Sequence, residues 1–288
     1  MKTKKLSYYL LATVSVLTLL STSCSKNSNN PAMPTPTPVV VTGFKLTTNV
    51  TLGNIITDNN GMAVYFFSKD VAGTPTCVDA CAVKWPPFYK ENPTIGTGLS
   101  ATDFGVVTRT DGSKQTTYKG WPLHYFSGDV NAADANGDAF GNLWAVAKAD
   151  YSVMFGNQQL VGLDGASYTD QSIAGTGAST FLTDPTGHTL YMFTKDTHAT
   201  NTFTKADLSN NTVWPMDEVT TIGSIPTVLD KTQFTTITVF SHTQLVFKGH
   251  PLYQFGQDAG VRGSTKGVSF PTPGSAIWKV TNNTTVVL

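Results

Sequence analysis

Gly61-Met62-Ala63-Val64-Tyr65-Phe66-Phe67-Ser68-Lys69-Asp70 is the stretch on which the fold turns, because its shape comes back three times. The shape is Gly, two residues, an aliphatic, an aromatic, any residue, Phe, two residues, Asp. It returns from Gly120 through Leu123, His124 and Phe126 to Asp129. It returns again from Gly187 through Leu190, Tyr191 and Phe193 to Asp196, and from Gly249 through Leu252, Tyr253 and Phe255 to Asp258. A Trp follows each copy: Trp85, Trp144, Trp214 and Trp278, while the fifth, Trp121, lies inside the second copy. Fixed internal spacing in four places marks a repeat architecture.

The copies also pair. The first and third are approached by Thr57-Asp58 and Thr183-Asp184 and share Trp85-Pro86 and Trp214-Pro215. The second and fourth share an aromatic-Lys-Gly-x-Pro-Leu segment, Tyr118 to Leu123 and Phe247 to Leu252. The body therefore reads as a duplication, residues 43–155 and then 156–288. Asp58-Asn59-Asn60-Gly61 and Asp184-Pro185-Thr186-Gly187 are turn sequences, so each copy is expected to be a hairpin strand. Alternation places Tyr65 and Phe67 on one sheet face, which is expected to be core. The Asp three residues beyond Phe is expected to accept backbone N–H groups of the following turn.

Thr, Gly, Val and aromatic residues abound and no long amphipathic helix is evident, which favours strands. The expectation is an all-β body of two tandem antiparallel β-rich repeats, four hairpin units in all. Two sandwiches or barrels, or a small propeller-like ring of four units of about 60 residues each, would both accommodate it.

Further motifs carry a family resemblance. Tyr-x-Phe-x-x-Asp, Cys77-x-x-x-Cys81-Ala82 with Trp85-Pro86-Pro87, and Gly-x-Pro-Leu-x-x-Phe-x-x-Asp resemble the secreted-repeat lipoproteins, described by a Tyr-x-(Phe/Trp/Tyr)-x-x-Asp motif. The resemblance covers nearly all of residues 50–288. It implies an architecture and no reaction, because the family's function is undefined. Two positions depart from it: His124 stands where the motif has Tyr, and residues 197–205 of the second half lack the Cys pair.

The N-terminus reads as an address. Met1-Lys2-Thr3-Lys4-Lys5 is basic, Leu6 to Leu20 is apolar, and Ser21-Thr22-Ser23 precede Cys24. The apolar run is shorter than the ~20 residues of a membrane span and suits a signal peptide, expected over residues 1–23. Small residues directly before Cys24 resemble the bacterial lipobox, which implies cleavage there and lipid on Cys24, with Ser21 in the usual aliphatic place. Ser25 after the Cys implies the outer membrane. Residues 24–42, rich in Pro, Thr and Asn, are expected to be an extended tether.

Lys+Arg and Asp+Glu are 19 each and charged residues only 13%, without a basic run, so nucleic acid is not expected as a partner. The expected partners are the membrane, through the lipid, and an envelope protein or polymer. With Cys24 assigned to lipid, Cys77 and Cys81 remain, and in an exported chain they read as a disulfide. Asp134-Ala135-Asn136-Gly137-Asp138 has the spacing of a calcium loop, but Ala139 and Ala145 stand where the EF-hand has Gly and Glu. The five His form no zinc-hydrolase signature, although His188 and His250 could meet across the duplication. No nucleophile elbow, phosphate loop or dinucleotide fingerprint occurs. No catalytic residue, cofactor or metal is assigned, and the expected role is a non-catalytic structural or binding module of the cell envelope, the alternative being a metal-binding or electron-transfer accessory protein.

Overall fold

The two kinds of approach to the motif make two kinds of turn. In the first and third copies an aspartate closes the turn: Asp58 Oδ1 accepts the N–H groups of Asn60 and Met62, and Asp184 Oδ1 those of Thr186 and His188. In the second and fourth copies the Lys-Gly dipeptide does so, with φ of 46° and 78° at Lys119 and Gly120 and 51° and 84° at Lys248 and Gly249. Two successive positive φ values are those of a two-residue primed hairpin turn, which matches the twist of the flanking strands. The registers Tyr118↔Trp121 and Phe247↔His250 follow from it.

The computed structural model describes residues 40–275 and 277–288. The leader, Cys24 and all but the end of the tether lie outside the described residues. The first half comprises β1 (Gly43–Asn49), β2 (Gly53–Asp58), β3 (Tyr65–Phe67), β4 (Thr94–Ile95), β5 (Phe104–Thr108), β6 (Lys114–Tyr118), β7 (Trp121–Pro122) and β8 (Trp144–Val146). The second comprises β9 (Met154–Val161), β10 (Ser167–Tyr168), β11 (Ala178–Thr183), β12 (Tyr191–Phe193), β13 (Phe234–Val239), β14 (His242–Phe247), β15 (His250–Tyr253) and β16 (Trp278–Val280). The only α-helix among the described residues is α1 (Ala80–Lys84); the remaining helical segments are single 3-10 turns.

The order repeats. Hairpin β1–β2 corresponds to β9–β11, hairpin β5–β6 to β13–β14, and the outer Trp strand β8 to β16. The centre of each half is a row of four short segments. In the first, Tyr65 pairs with Val146 on one side and His124 on the other, and His124 pairs in turn with Pro87. In the second, Tyr191 pairs with Val280 and Tyr253, and Tyr253 with Met216. Each row has a local two-fold axis between its two motif strands, with a Trp strand outside each.

The body is thus all-β, built from several small, mainly antiparallel sheets, the largest of five strands in the order β13-β14-β15-β12-β16. Neither a closed barrel nor a ring of four blades forms among the described residues: the motif strands pair two by two within each half. The boundary expected between residues 155 and 156 falls inside β9. The halves also share a core, since one buried cluster joins Phe44, Val64 and Trp121 to Phe181, Tyr191 and Trp278. Trp121 marks their contact. It is fully buried and donates its indole N–H to the Pro185 carbonyl at 3.0 Å, under the Arg262 guanidinium 4.9 Å from its ring.

Packing at the motif rows leaves no room for a methyl group. A Cβ on Gly267 would lie 2.7 Å from the Tyr191 ring and 2.8 Å from that of Trp214, as one on Gly137 would lie 2.6 Å from Trp85. Gly267→Ala is therefore expected to cost about 1–3 kcal/mol through overpacking, measured by urea unfolding. An unchanged unfolding midpoint would mean that the ring stack yields.

Candidate functional site

The repeated Tyr and Asp do not act within their own copies. Tyr65 of the first copy donates its hydroxyl to Oδ2 of Asp129 in the second, at 2.5 Å. Asp70 of the first copy is reached in return by His124 Nε2 of the second, 2.9 Å from its Oδ2. The second half repeats the exchange: Tyr191 donates to Asp258 and Tyr253 to Asp196, each at 2.8 Å. His124, the departure from the motif, thus stands in for Tyr253 as the ring that crosses to the partner's carboxylate.

Each aspartate divides its oxygens. The second oxygen does what the sequence leads one to expect, accepting from its own loop. Asp70 Oδ1 takes the N–H and hydroxyl of Thr76, Asp196 Oδ1 those of Thr202, Asp129 Oδ1 the Asn136 N–H, and Asp258 Oδ1 the Lys266 N–H and Ser264 hydroxyl. The turn-capping expectation is therefore half of the role. Burial pushes the Asp129, Asp196 and Asp258 carboxyls up, against the lowering effect of these bonds. Burial, with the facing aspartates, holds the Tyr65, Tyr191 and Tyr253 hydroxyls well above their usual range, so they remain protonated donors.

Aromatic rings enclose these bonds. Trp85 and Trp144 stack at 3.7 Å between centroids and 4° between planes; Trp214 and Trp278 stack at 3.6 Å and 8°. Tyr65 and Tyr191 each meet the nearer Trp edge-on at 5.3 Å, and Phe126 and Phe255 pack against it at 4.4 Å. Phe67 and Phe193 cover Trp144 and Trp278 at 4.1 and 4.6 Å. Burying each such ring contributes about 2–3 kcal/mol. The arrangement is a buried joint between paired copies of the motif.

Cys77 and Cys81 are joined as a disulfide, with Cα atoms 5.2 Å apart, across the start of α1. Arg109 anchors this loop, donating to the Cys77 carbonyl at 2.7 Å and to Gln115. The second half replaces the Cys loop with Asn201, whose side chain donates to Gln244, the counterpart of Gln115, at 2.8 Å.

The other sequence candidates are dispersed. Asp134 caps residues 130 and 131, Asn136 reaches Gly128, and Asp138 holds Val146 and Thr227. His250 bonds the Val286 carbonyl, while His188 bonds Asp184 and the Gly260 carbonyl, so these two histidines have separate partners. No three His, Cys, Asp or Glu side chains among the described residues are placed to hold a metal ion.

A family model described as a secreted repeat of unknown function matches residues 46–89 and again residues 105–148. Each match spans one unit of the first half, from its hairpin to just beyond its Trp. The two matches are tandem units of the chain, and the Tyr65–Asp129 bond between them recurs as Tyr191–Asp258 in residues 156–288. No curated protein and no solved structure matches the chain.

Two expected outcomes follow. Tyr191→Phe leaves Asp258 Oδ2 buried without its donor and should cost about 1–3 kcal/mol, read from chemical unfolding; a loss no larger than that of an exposed Tyr would show the crossing bond to be dispensable. The second concerns pH. Both nitrogens of His188 face acceptors, Asp184 at 2.8 Å and the Gly260 carbonyl at 2.8 Å, which requires an imidazolium. The Asp184 bond chiefly raises the His188 pKa, against burial. Burial works to raise Asp184, but the His188 bond and charge outweigh it and hold the carboxyl below its usual value. The pair's contribution is therefore full below about pH 6.5, disappears as pH rises through the higher folded value of His188, and fails again in acid as Asp184 protonates. The melting-temperature gap between the native protein and His188→Gln should be largest near about pH 5 and should close in alkali. A pH-independent gap would contradict the imidazolium.

Proposed function

Taking the chain as a carrier of the secreted repeat, we propose that it is a lipid-anchored protein of the cell envelope whose body serves as a non-catalytic structural or binding module. The leader is cut before Cys24, the lipid on Cys24 holds the chain at the outer membrane, and residues 25–42 carry the body away from the bilayer. The observation that supports a non-catalytic body is the fate of its repeated polar groups. The four motif aspartates, the three tyrosines and His124 are buried and bonded to one another across paired copies. A general acid or base needs a free face toward substrate, and these groups have none. The anchoring part rests on the run of residues from Lys2 to Cys24.

Several acyl chains at ~0.8 kcal/mol per buried methylene hold a protein on a membrane where one chain does so only marginally. Cys24→Ala in the expressing cell should therefore move the protein from the membrane fraction to the soluble fraction and remove the lipid mass from its N-terminus. A variant that stays membrane-bound would overturn the anchor.

A further inference from the structure

The duplication supplies an internal comparison, and one place departs from it sharply. In the first half, the position three residues after the Trp is Phe88, 2% exposed. It packs against Phe44 at 4.8 Å and Tyr125 at 5.2 Å, and Tyr125 donates its hydroxyl to Asp58. The second half places Asp217 at that position, with the same backbone bond: Phe88 N–H donates to the Leu123 carbonyl and Asp217 N–H to that of Leu252. Gln254 replaces Tyr125 and donates to Asp184, the counterpart of Asp58, at 3.3 Å. Val153 occupies the place of Phe44. With three aromatic rings replaced, the plug of the first half gives way to a cleft of about 500 Å³, lined in part by Asp150, Asp184, Asp217, Glu218, Thr221 and Gln254.

Asp217 is only 5% exposed, and its Oδ2 has no hydrogen-bond partner. Burial raises its carboxyl to about 8, and the charges of Asp184 and Glu218 add to the effect, while Gln254 works against it. A buried carboxylate without a partner is costly, and a neighbouring copy of the same unit fills the position with Phe. The other acids are not equally open: Asp184 has His188, Glu218 has His242 at 2.9 Å, and Asp150 has only the Ser224 hydroxyl at 3.0 Å. No Lys or Arg side chain lines the cleft. The carboxylates are too dispersed to ligate one metal ion. The volume lies within the range of small-molecule sites.

We infer that this cleft binds a primary ammonium group, carried by a small polyamine or by a lysine side chain, with Asp217 as its principal carboxylate and the side chains of Asp150 and Thr221 beside it. The inference concerns the folded body and does not depend on the lipid anchor, so its failure leaves the anchored-module reading intact.

The test is calorimetric titration of the full-length protein with spermidine and, separately, with Nα-acetyl-lysine amide, at about pH 9, where Asp217 is ionised and the ammonium still protonated. Norleucine amide derivatives of the same length serve as the uncharged control. At least one ammonium probe should bind and the control should not. Asp217→Asn should weaken binding about tenfold or more, which is about 1.4 kcal/mol. Asp217→Phe, which restores the residue of the first half, should abolish it; if that variant does not fold, Asp217→Asn and Asp150→Asn carry the comparison. Saturation by spermidine alone would identify a polyamine as the source, and saturation by the lysine derivative alone a protein side chain. No binding of either probe, equal binding of the uncharged control, or binding unchanged by Asp217→Asn would overturn the proposal.

Discussion

A buried carboxylate whose second oxygen is satisfied by another copy of its own motif is the constraint on which this fold depends. Asp70 needs His124, Asp129 needs Tyr65, Asp196 needs Tyr253 and Asp258 needs Tyr191. An ionised or polar group left unpaired in an apolar interior costs several kcal/mol, so a single unit closed on itself would carry that cost at both its Tyr and its Asp. Paired about a local two-fold axis, two units remove it twice over. The stacked Trp pairs then cover the bonds and keep water from competing for them. The unit of folding is accordingly the pair, which explains why the sequence shows alternating kinds of approach to the motif: each pair contains one Asp-closed turn and one Lys-Gly turn.

Much of this was legible in the chain itself. The motif spacing marks four strands, the Asp-x-x-Gly and Lys-Gly signatures mark their turns, and both act as their chemistry dictates. The Cys77–Cys81 bond is the one expected of two cysteines four apart in a chain read as exported. What the sequence does not display is who bonds whom. The crossing bonds join residues 54 to 67 apart, with nothing in local periodicity to show that Asp70 belongs with His124 rather than with its own loop alone. The same limit applies to the choice between a ring and pairs, because a ring and two dyads present the same four strands to a sequence reading. Asp217 lies outside the motif, where no repeated spacing marks it. Its signal is the alignment of Trp214-Pro215 with Trp85-Pro86, which carries Phe88 onto Asp217.

The halves agree where the joint demands it and differ where it does not. Tyr65 and Tyr191 have the same neighbours to within tenths of an ångström, including a Gly N–H at 3.3 Å from the hydroxyl, from Gly137 and Gly267. Away from the joint, one half holds its loop by a disulfide and Arg109, the other by Asn201. Ala132 packs over Gly61, while Arg262 takes the corresponding place over Gly187 and reaches the Lys119 and Thr186 carbonyls. That arginine ties the second half to the first, so the asymmetry between the copies is part of what joins them.

The cleft follows from the same division of roles. A position three residues beyond a stacked Trp is held by its backbone, through the bond to Leu123 or Leu252, so its side chain is free to change without moving the strand. In the first half that freedom is used for packing, and Phe88 closes an aromatic cluster. In the second it brings a set of carboxylates to a shared space, and Asp217, buried with no partner for its Oδ2, sits where backbone bonds to Leu252 and from Leu245 hold the chain. Burial raises the Asp217 carboxyl and lowers the Arg262 guanidinium to about 10, and Asp184 acts on both, further raising the first and opposing the fall of the second. Asp184 therefore links the charge of the cleft to the arginine that joins the halves. The crossing bonds of the joint, Tyr191 to Asp258 and Tyr253 to Asp196, do not use Asp217, so the local cost at Asp217 is borne beside them rather than within them.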